Sequence, residues 1–545
     1  MKTRIIAFVC VICLLLSLAA CGSSGSFSGG SGTEADPYLI SSAKDLQEMA
    51  SLINDKKTTE QYYNACYKLT ADIDLGGKKW DPLGVDDYGY MGFGGTLDGN
   101  GHTVSNFKIS YKTPSVGSHV ANHAFIGYLS GGTVRNLTVS NASVSAESDK
   151  NLAVAAVVAS ARNAVVENCH VTDSVTVTSA MDAAGVVCKV AGDSVLKNCS
   201  NAGSVTAGAG ELQVGNAGGV VHYADVPVID CSNSGTVISK QDSAAGVAFK
   251  ANAGMSGCEN TGDITADDYA AGIVCWFSDG ALNHSMNDDT VTLENCTNRG
   301  SIVSLNDTAG GIATAWSTGH IKGCTNFGDV TAPKNVGGMF GYFQHGAFGT
   351  PAEEVTISGC VNSGTITCTD NYSAGGIAGV FYGSKTRLAI VSCSNNGTIV
   401  SVGKENVAVA GSYAGGILGD ADITDMEIAN CTNSGEITGY TAAGGIAGQI
   451  NAANVEGFTG HALLIKNCSN AGDVYTVYPG GLTPEIYAGG ILGYTTPETV
   501  AGDLNPVISN LRIEDCTNTG TLTGDTDGAP LITDDLCASW NNRLK

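Results

Sequence analysis

The sequence predicts an all-β solenoid with one coil per repeat, and three observations predict it. A Cys-x-Asn-x-Gly unit recurs with its cysteine at Cys199, Cys231, Cys258, Cys296, Cys324, Cys360, Cys393, Cys431, Cys468 and Cys516, and in decayed form at Cys169. A glycine pair alternates with it, as at Gly218-Gly219, Gly310-Gly311, Gly375-Gly376 and Gly489-Gly490. Successive cysteines lie 27 to 48 residues apart, and each interval holds about three short β-favouring runs, such as Gly375–Val380, Ala389–Cys393 and Gly397–Val402. Stacked strands rise ~4.8 Å per coil, so about eleven repeat coils give a rod on the order of 50 Å.

Composition agrees. The 545 residues include 73 Gly, 43% apolar and only 14% charged residues, a turn-rich β composition. The net charge of −25 becomes −27 once Lys2 and Arg4 leave with a signal segment. Such a surface repels nucleic acid and other polyanions, so no nucleic-acid partner is expected.

In chain order, Met1–Arg4 is a basic start and Ile5–Leu18 an apolar run too short to span a bilayer. The following Leu18-Ala19-Ala20-Cys21 resembles a bacterial lipobox. That resemblance implies a signal peptide over 1–20 and a lipid anchor on Cys21, with an extracytoplasmic chain held to the membrane. Residues 21–32 read as a flexible Gly/Ser tether. Residues 33–146 read as a cap with lead-in coils. Within them Ser42 starts a helix whose apolar face is Leu46, Met49, Ala50 and Ile53, a device for covering the open end of a β array. Residues 147–524 are the repeat coils and 525–545 a C-terminal cap.

Three segments, Leu69–Leu75, Trp80–Gly84 and Phe93–Val104, together with the later Gly-Gly-Ile-x-Gly repeats, resemble bacterial surface proteins carrying GLUG motifs. The resemblance spans roughly Thr33 to Gly524 and implies a right-handed parallel β-helix displayed at the cell surface, with no shared catalytic residues. The full Gly-Gly-x-x-Gly spacing holds at Gly337/Gly341, Gly375/Gly379, Gly415/Gly419, Gly444/Gly448 and Gly489/Gly493; earlier copies carry Cys188, Cys275 or Thr314 at the last position.

Candidate chemistry is sparse. Sixteen cysteines remain without Cys10, Cys13 and Cys21, and those recurring once per repeat fit a buried, reduced ladder rather than disulfide pairs. Asn201, Asn233, Asn298, Asn433, Asn470 and Asn518 precede turn glycines and suit a stacked amide column. Counting from the second glycine, Phe277, Trp316, Phe343 and Phe381 occupy the fifth position, which strand parity turns inward. Tyr223, Lys250, Trp276, Tyr342, Asp420, Gln449 and Tyr494 occupy the outward fourth position. Trp276, Tyr342 and Tyr223 are therefore the candidate platform for a sugar ring or protein partner.

The acidic pairs Asp72/Asp74, Asp86/Asp87, Asp267/Asp268, Asp288/Asp289 and Asp534/Asp535 read as turn residues without matching Lys or Arg on neighbouring strands. Asp525-Thr526-Asp527-Gly528 lacks the distal Glu of a calcium loop, and no His or Cys motif has metal spacing. No cofactor is expected. The leading function is a lipid-anchored, non-enzymatic surface binding or adhesion protein for a glycan or protein. A polysaccharide lyase or glycoside hydrolase is the alternative, and it requires acidic residues from different coils to converge beside a basic one.

Overall fold

A computed structural model describes residues 27–55, 59–84, 92–111, 121–147, 152–210, 214–277, 292–316, 319–345, 354–370, 372–403, 411–452, 462–477, 487–495 and 511–524. The chain folds as a right-handed parallel β-helix. One ladder joins 49 strands, and a second joins twelve strands of two to four residues running from Ala121–His123 to Tyr487–Gly489. Pairing is parallel and links equivalent residues one coil apart, as in Ala244, Ala270, Ala309 and Val336. Cys21, the 1–20 segment and the 525–545 cap lie outside the described residues.

The predicted helix is present as α1 (Ala43–Asn54), with Ser42 at its N-cap and Leu46, Met49, Ala50 and Ile53 buried. Those four side chains join the core beside Ile40, Tyr67 and Leu69 of the first coils. Asn54 ties the helix end to the rod, donating to the Pro82 carbonyl and accepting from the Gly84 amide. A further short helix, α2 (Thr59–Tyr62), follows. The expectation of a flexible tether over 21–32 is corrected for Phe27–Gly32. Gly29 accepts a hydrogen bond from the Leu39 amide at 2.8 Å, Gly32 accepts one from the Cys66 amide at 2.8 Å, and the Phe27 ring lies 4.7 Å from Tyr38. Composition suggested a free chain; one aromatic anchor and an unpaired strand edge hold it.

Each repeat cysteine sits just past a corner made by one left-handed residue. Asn168, Asn198, Asp230, Gly257, Asn295, Gly323, Gly359, Ser392, Asn430, Asn467 and Asp515 all have φ between 50° and 62°. Ten of the eleven are Asn, Asp or Gly, the types for which this region is least strained. The cysteines that follow are free, and all but Cys516 are buried. Their sulfurs point into the core against carbonyls, as for Cys431, 3.5 Å from Ile390 O and 3.3 Å from Ala429 O.

Two residues on, the asparagines form the predicted column, and it is longer than the residues first named. Asn260, Asn326, Asn362 and Asn395 complete it between Asn201 and Asn518. Each Nδ2 donates to the Oδ1 of the next coil at 2.7–2.9 Å, as in Asn298 to Asn326 at 2.8 Å and Asn362 to Asn395 at 2.7 Å. The same nitrogen also donates to the carbonyl of the glycine two residues on, at 2.8 Å for Asn326 and Gly328. Both amide hydrogens are thus used in a buried site, where an unmet donor costs about 1–3 kcal/mol.

The Gly-Gly-x-x-Gly spacing follows from close backbone approaches. A Cβ on Gly337 would stand 1.9 Å from the Phe340 carbonyl, because the chain folds back sharply between the short strand and the next. A Cβ on Gly338 would meet the Gly376 carbonyl at 2.1 Å and the Asn362 carboxamide at 2.7 Å, and one on Gly341 would meet the Ala309 carbonyl at 2.6 Å. In the earlier coils the last position carries Ala159, Cys188 and Cys275, and these pack against Ala155, Ala184, Ala245 and Ala271 in small satellite clusters. Side chains there take the place of the glycine contact.

Three substitutions test this account. Asn326→Ala is expected to lower unfolding free energy by roughly 1–3 kcal/mol for each amide group orphaned above and below it. Gly359→Ala, with open space around its Cβ, should cost only the left-handed penalty of about 1–2 kcal/mol. Ser392→Asn should stabilise by about 0.5–1 kcal/mol, since Asn tolerates that φ better. Denaturant titration of each variant reads all three.

Candidate functional site

The sharp fold-back brings the outward side chains of the short strand against those of the strand that follows it. The result is a seam along the rod. Tyr269 lies edge-on to Trp276 at 5.4 Å, and Tyr487 stacks on Tyr494 at 4.7 Å. One wall is a single register column: Tyr223, Lys250, Trp276, Ala315, Tyr342, Val380, Asp420, Gln449 and Tyr494. The fourth-position residues read from the sequence do share one line.

Their exposure differs along that line. Trp276 is 38% exposed, while Tyr223 and Tyr342 are half-buried. The three rings make no common platform, because Lys250 separates Tyr223 from Trp276 and Ala315 separates Trp276 from Tyr342. Each has its own partners. Lys250 Nζ sits 5.7 Å over the Tyr223 ring, whose hydroxyl accepts from Asn252. Tyr342 meets Tyr382 edge to face at 6.0 Å. The expectation that the whole fourth position faces outward is corrected at Asp420 and Gln449, 5% and 4% exposed, which neighbouring side chains cover. At the fifth position Phe343 and Phe381 are buried and stacked at 4.1 Å as expected; the side chains of Phe277 and Trp316 lie outside the described residues.

The other wall carries charge. Two residues before the short strand, register stacks Asp242, Asp268, Asp307, Lys334 and Tyr372 in successive coils. Asp268 accordingly donates its amide to the Asp242 carbonyl, and Lys334 to the Asp307 carbonyl, each at 3.0 Å. Burial raises the Asp268 carboxyl above its ordinary range, and the charges of Asp267, Asp242 and Asp307 add to the shift. Lys334 Nζ pairs with the Asp307 carboxylate. Asp267/Asp268 thus has acidic neighbours, Asp242 and Asp307, in the two adjacent coils, and the lysine stands one coil further on, paired with Asp307. Residue spacing within one coil could not reveal it, because the partners lie about 26 to 39 positions apart.

Asp72 and Asp74 serve turns, accepting from Thr103 and Gly76 amides. Asp86/Asp87, Asp288/Asp289, Asp534/Asp535 and Asp525–Asp527 lie outside the described residues. Among the described residues no three His, Cys, Asp or Glu side chains are arranged to hold a metal ion.

Sequence reading missed Tyr269, Tyr372 and Tyr382. Tyr372 and Tyr382 are 42% and 38% exposed, and Tyr269 is half-buried beside Trp276. Parity applied to the short strand as well as to the longer one would have placed Tyr269 in the seam. Tyr382 holds Asp420, its hydroxyl donating to Asp420 Oδ2 at 2.9 Å. Burial pushes the Asp420 carboxyl up to about 7; the Tyr382 bond opposes that and the Asp422 charge adds to it.

No family model matches the chain. Halomucin of Haloquadratum walsbyi is 35% identical over 153 residues, 26% of this chain and 2% of its own length. A protein of Evansella cellulosilytica, provisionally named a Gly-rich membrane protein, is 28% identical over 148 residues, 27% of this chain and 16% of its own. The chain thus spans a small part of these curated relatives. Among solved structures, a Bacteroides ovatus chain provisionally described as an immunoglobulin A1 protease aligns with 79% of this chain and 88% of its own. At 18% identity and a TM-score of 0.24 that alignment carries no argument.

Asp420 makes stability depend on pH. Its folded pKa of about 7 lies above the ordinary 3.8, so the folded state holds a proton that the unfolded chain gives up first. The stabilisation is complete below about pH 4 and is lost as pH rises to about 7. Asp420→Asn is expected to flatten the fall in melting temperature over that window, and an unchanged slope would contradict the buried, protonated carboxyl.

Proposed function

We propose that the chain is a lipid-anchored, surface-displayed binding protein without catalytic activity, holding a glycan or a protein partner along its seam. One observation carries this reading: Trp276 and Tyr342 share one register line, and the exposed Tyr382 ring meets Tyr342 edge to face, along one partly exposed edge of the rod. Aromatic faces at fixed spacing suit the apolar faces of sugar rings, and repeat rods present extended surfaces of this kind. A lipid on Cys21 would place that edge outside the membrane. The names of the relatives, a halomucin and a Gly-rich membrane protein, fit display at a cell surface. Among the described residues no helix is long and apolar enough to cross a membrane.

The Asp242, Asp268, Asp307 and Lys334 column favours a second reading, a polysaccharide lyase or glycoside hydrolase on the same scaffold. One experiment separates the two. The full chain in mild detergent is incubated with insoluble polysaccharides, with calcium and with chelator, and supernatants are assayed for new reducing ends and unsaturated products. Retention without product is expected, weakened about 2- to 10-fold by Trp276→Ala or Tyr342→Ala. Product release would establish the enzyme instead.

A further inference from the structure

Going N- to C-terminally from Trp276, the seam combines accessible rings with an excess of negative charge. Trp276 and Tyr372 are 38% and 42% exposed, Tyr342 is half-buried, and Tyr269 and Tyr342 both feel the charge of Asp307. Around them stand Asp242, Asp267, Asp268 and Asp307, while Lys334 is the single lysine in the stacked column and is already paired with Asp307. Lys250, the next basic group on the opposite wall, faces the Tyr223 ring on the far side of Trp276. Further along the same wall comes Asp422.

We propose that this stretch binds a polysaccharide bearing free amines, laid along the rod axis, with its rings on Trp276 and Tyr342 and its ammonium groups beside Asp268 and Asp307. The inference rests on the glycan form of the function proposed above. Charge complementarity selects the occupant. Like carboxylates stacked ~4.8 Å apart repel one another, a cation relieves that repulsion, and an acidic or sulfated glycan adds to it. Aromatic faces attract ammonium groups as well as sugar rings, so the two walls act on one ligand. Trp276 and Tyr342 stand two coils apart over the small Ala315, about 9.6 Å along the axis, a gap that alternate rings of an extended glycan can bridge. Burial holds the Asp268 carboxyl above its ordinary range with help from its acidic neighbours, so a bound ammonium is expected to favour proton release there.

The test is calorimetry on the full chain in mild detergent, with a β-1,4-linked glucosamine hexasaccharide and its fully N-acetylated counterpart, at mildly acidic pH where the amines are charged. The free-amine sugar should bind about tenfold more tightly, and the difference should shrink with added salt. Asp268→Asn with Asp307→Asn should abolish the difference while leaving the acetylated sugar bound, and Trp276→Ala should weaken both. Asp242→Asn provides a second acidic variant that leaves the Lys334 pair intact. Equal affinity for the two sugars, or a preference that survives these variants, overturns the amine assignment and leaves the glycan reading standing. Binding of neither sugar, with no polysaccharide retained, overturns both. Capture by a lysine polymer as tight as by the free-amine sugar, and indifferent to Trp276→Ala, shows bulk charge attraction and also overturns it.

Discussion

The carboxamide column from Asn201 to Asn518 is the interaction on which the rest of the rod depends. Each amide spends one hydrogen on the next coil and the other on its own turn, so neither a missing coil partner nor a one-residue slip leaves the buried site satisfied. The second glycine of each pair exists to make room for it: a Cβ there would fall 2.4–2.7 Å from the carboxamide carbon of the Asn in its own or the next coil, as Gly311 does with Asn326. Once the column fixes register, every other line of side chains follows. The cysteines, the outward aromatics and the stacked aspartates are columns because the asparagines are.

The seam depends on a second constraint, the tight return between short strand and long strand. In the later coils glycine at the last motif position lets the two walls touch, whereas in earlier coils Cys188 and Cys275 fill that place and pack on alanines. The incomplete motif over residues 150–330 is therefore a different packing of the same return and not a loss of the repeat. Outward groups on both walls converge in either case, which explains why Tyr269 reaches Trp276 although six residues intervene.

Much of this was legible in the sequence, because the repeat writes the same instruction in every coil. The Cys-x-Asn-x-Gly spacing marked the core thiols and amides, and Ser42 with Leu46, Met49, Ala50 and Ile53 marked the helix. What escaped was information held between coils or in single residues. The left-handed residue before each cysteine varies among Asn, Asp, Gly and Ser, so no letter repeats even though the backbone angle does. The Asp242, Asp268, Asp307 and Lys334 line is invisible until loops of unequal length are set in register. Asp420 occupies an outward parity position and is buried all the same, because Tyr382 in the preceding coil reaches across and bonds to it. Phe27 shows the reverse: a segment with tether composition is fastened by one ring.

The asparagine column has direction. Every Nδ2 points toward the following coil, so each coil offers an acceptor to the one before it and a donor to the one after it. Any complete turn of the rod therefore presents the same two faces to its neighbours, whichever turn it is. Excising or duplicating a whole turn between equivalent residues rejoins donor to acceptor, while a cut of any other length breaks the chain of amides. The length of the rod thus becomes a quantity the gene can change in whole steps of ~4.8 Å, by copying or dropping one unit and altering nothing else.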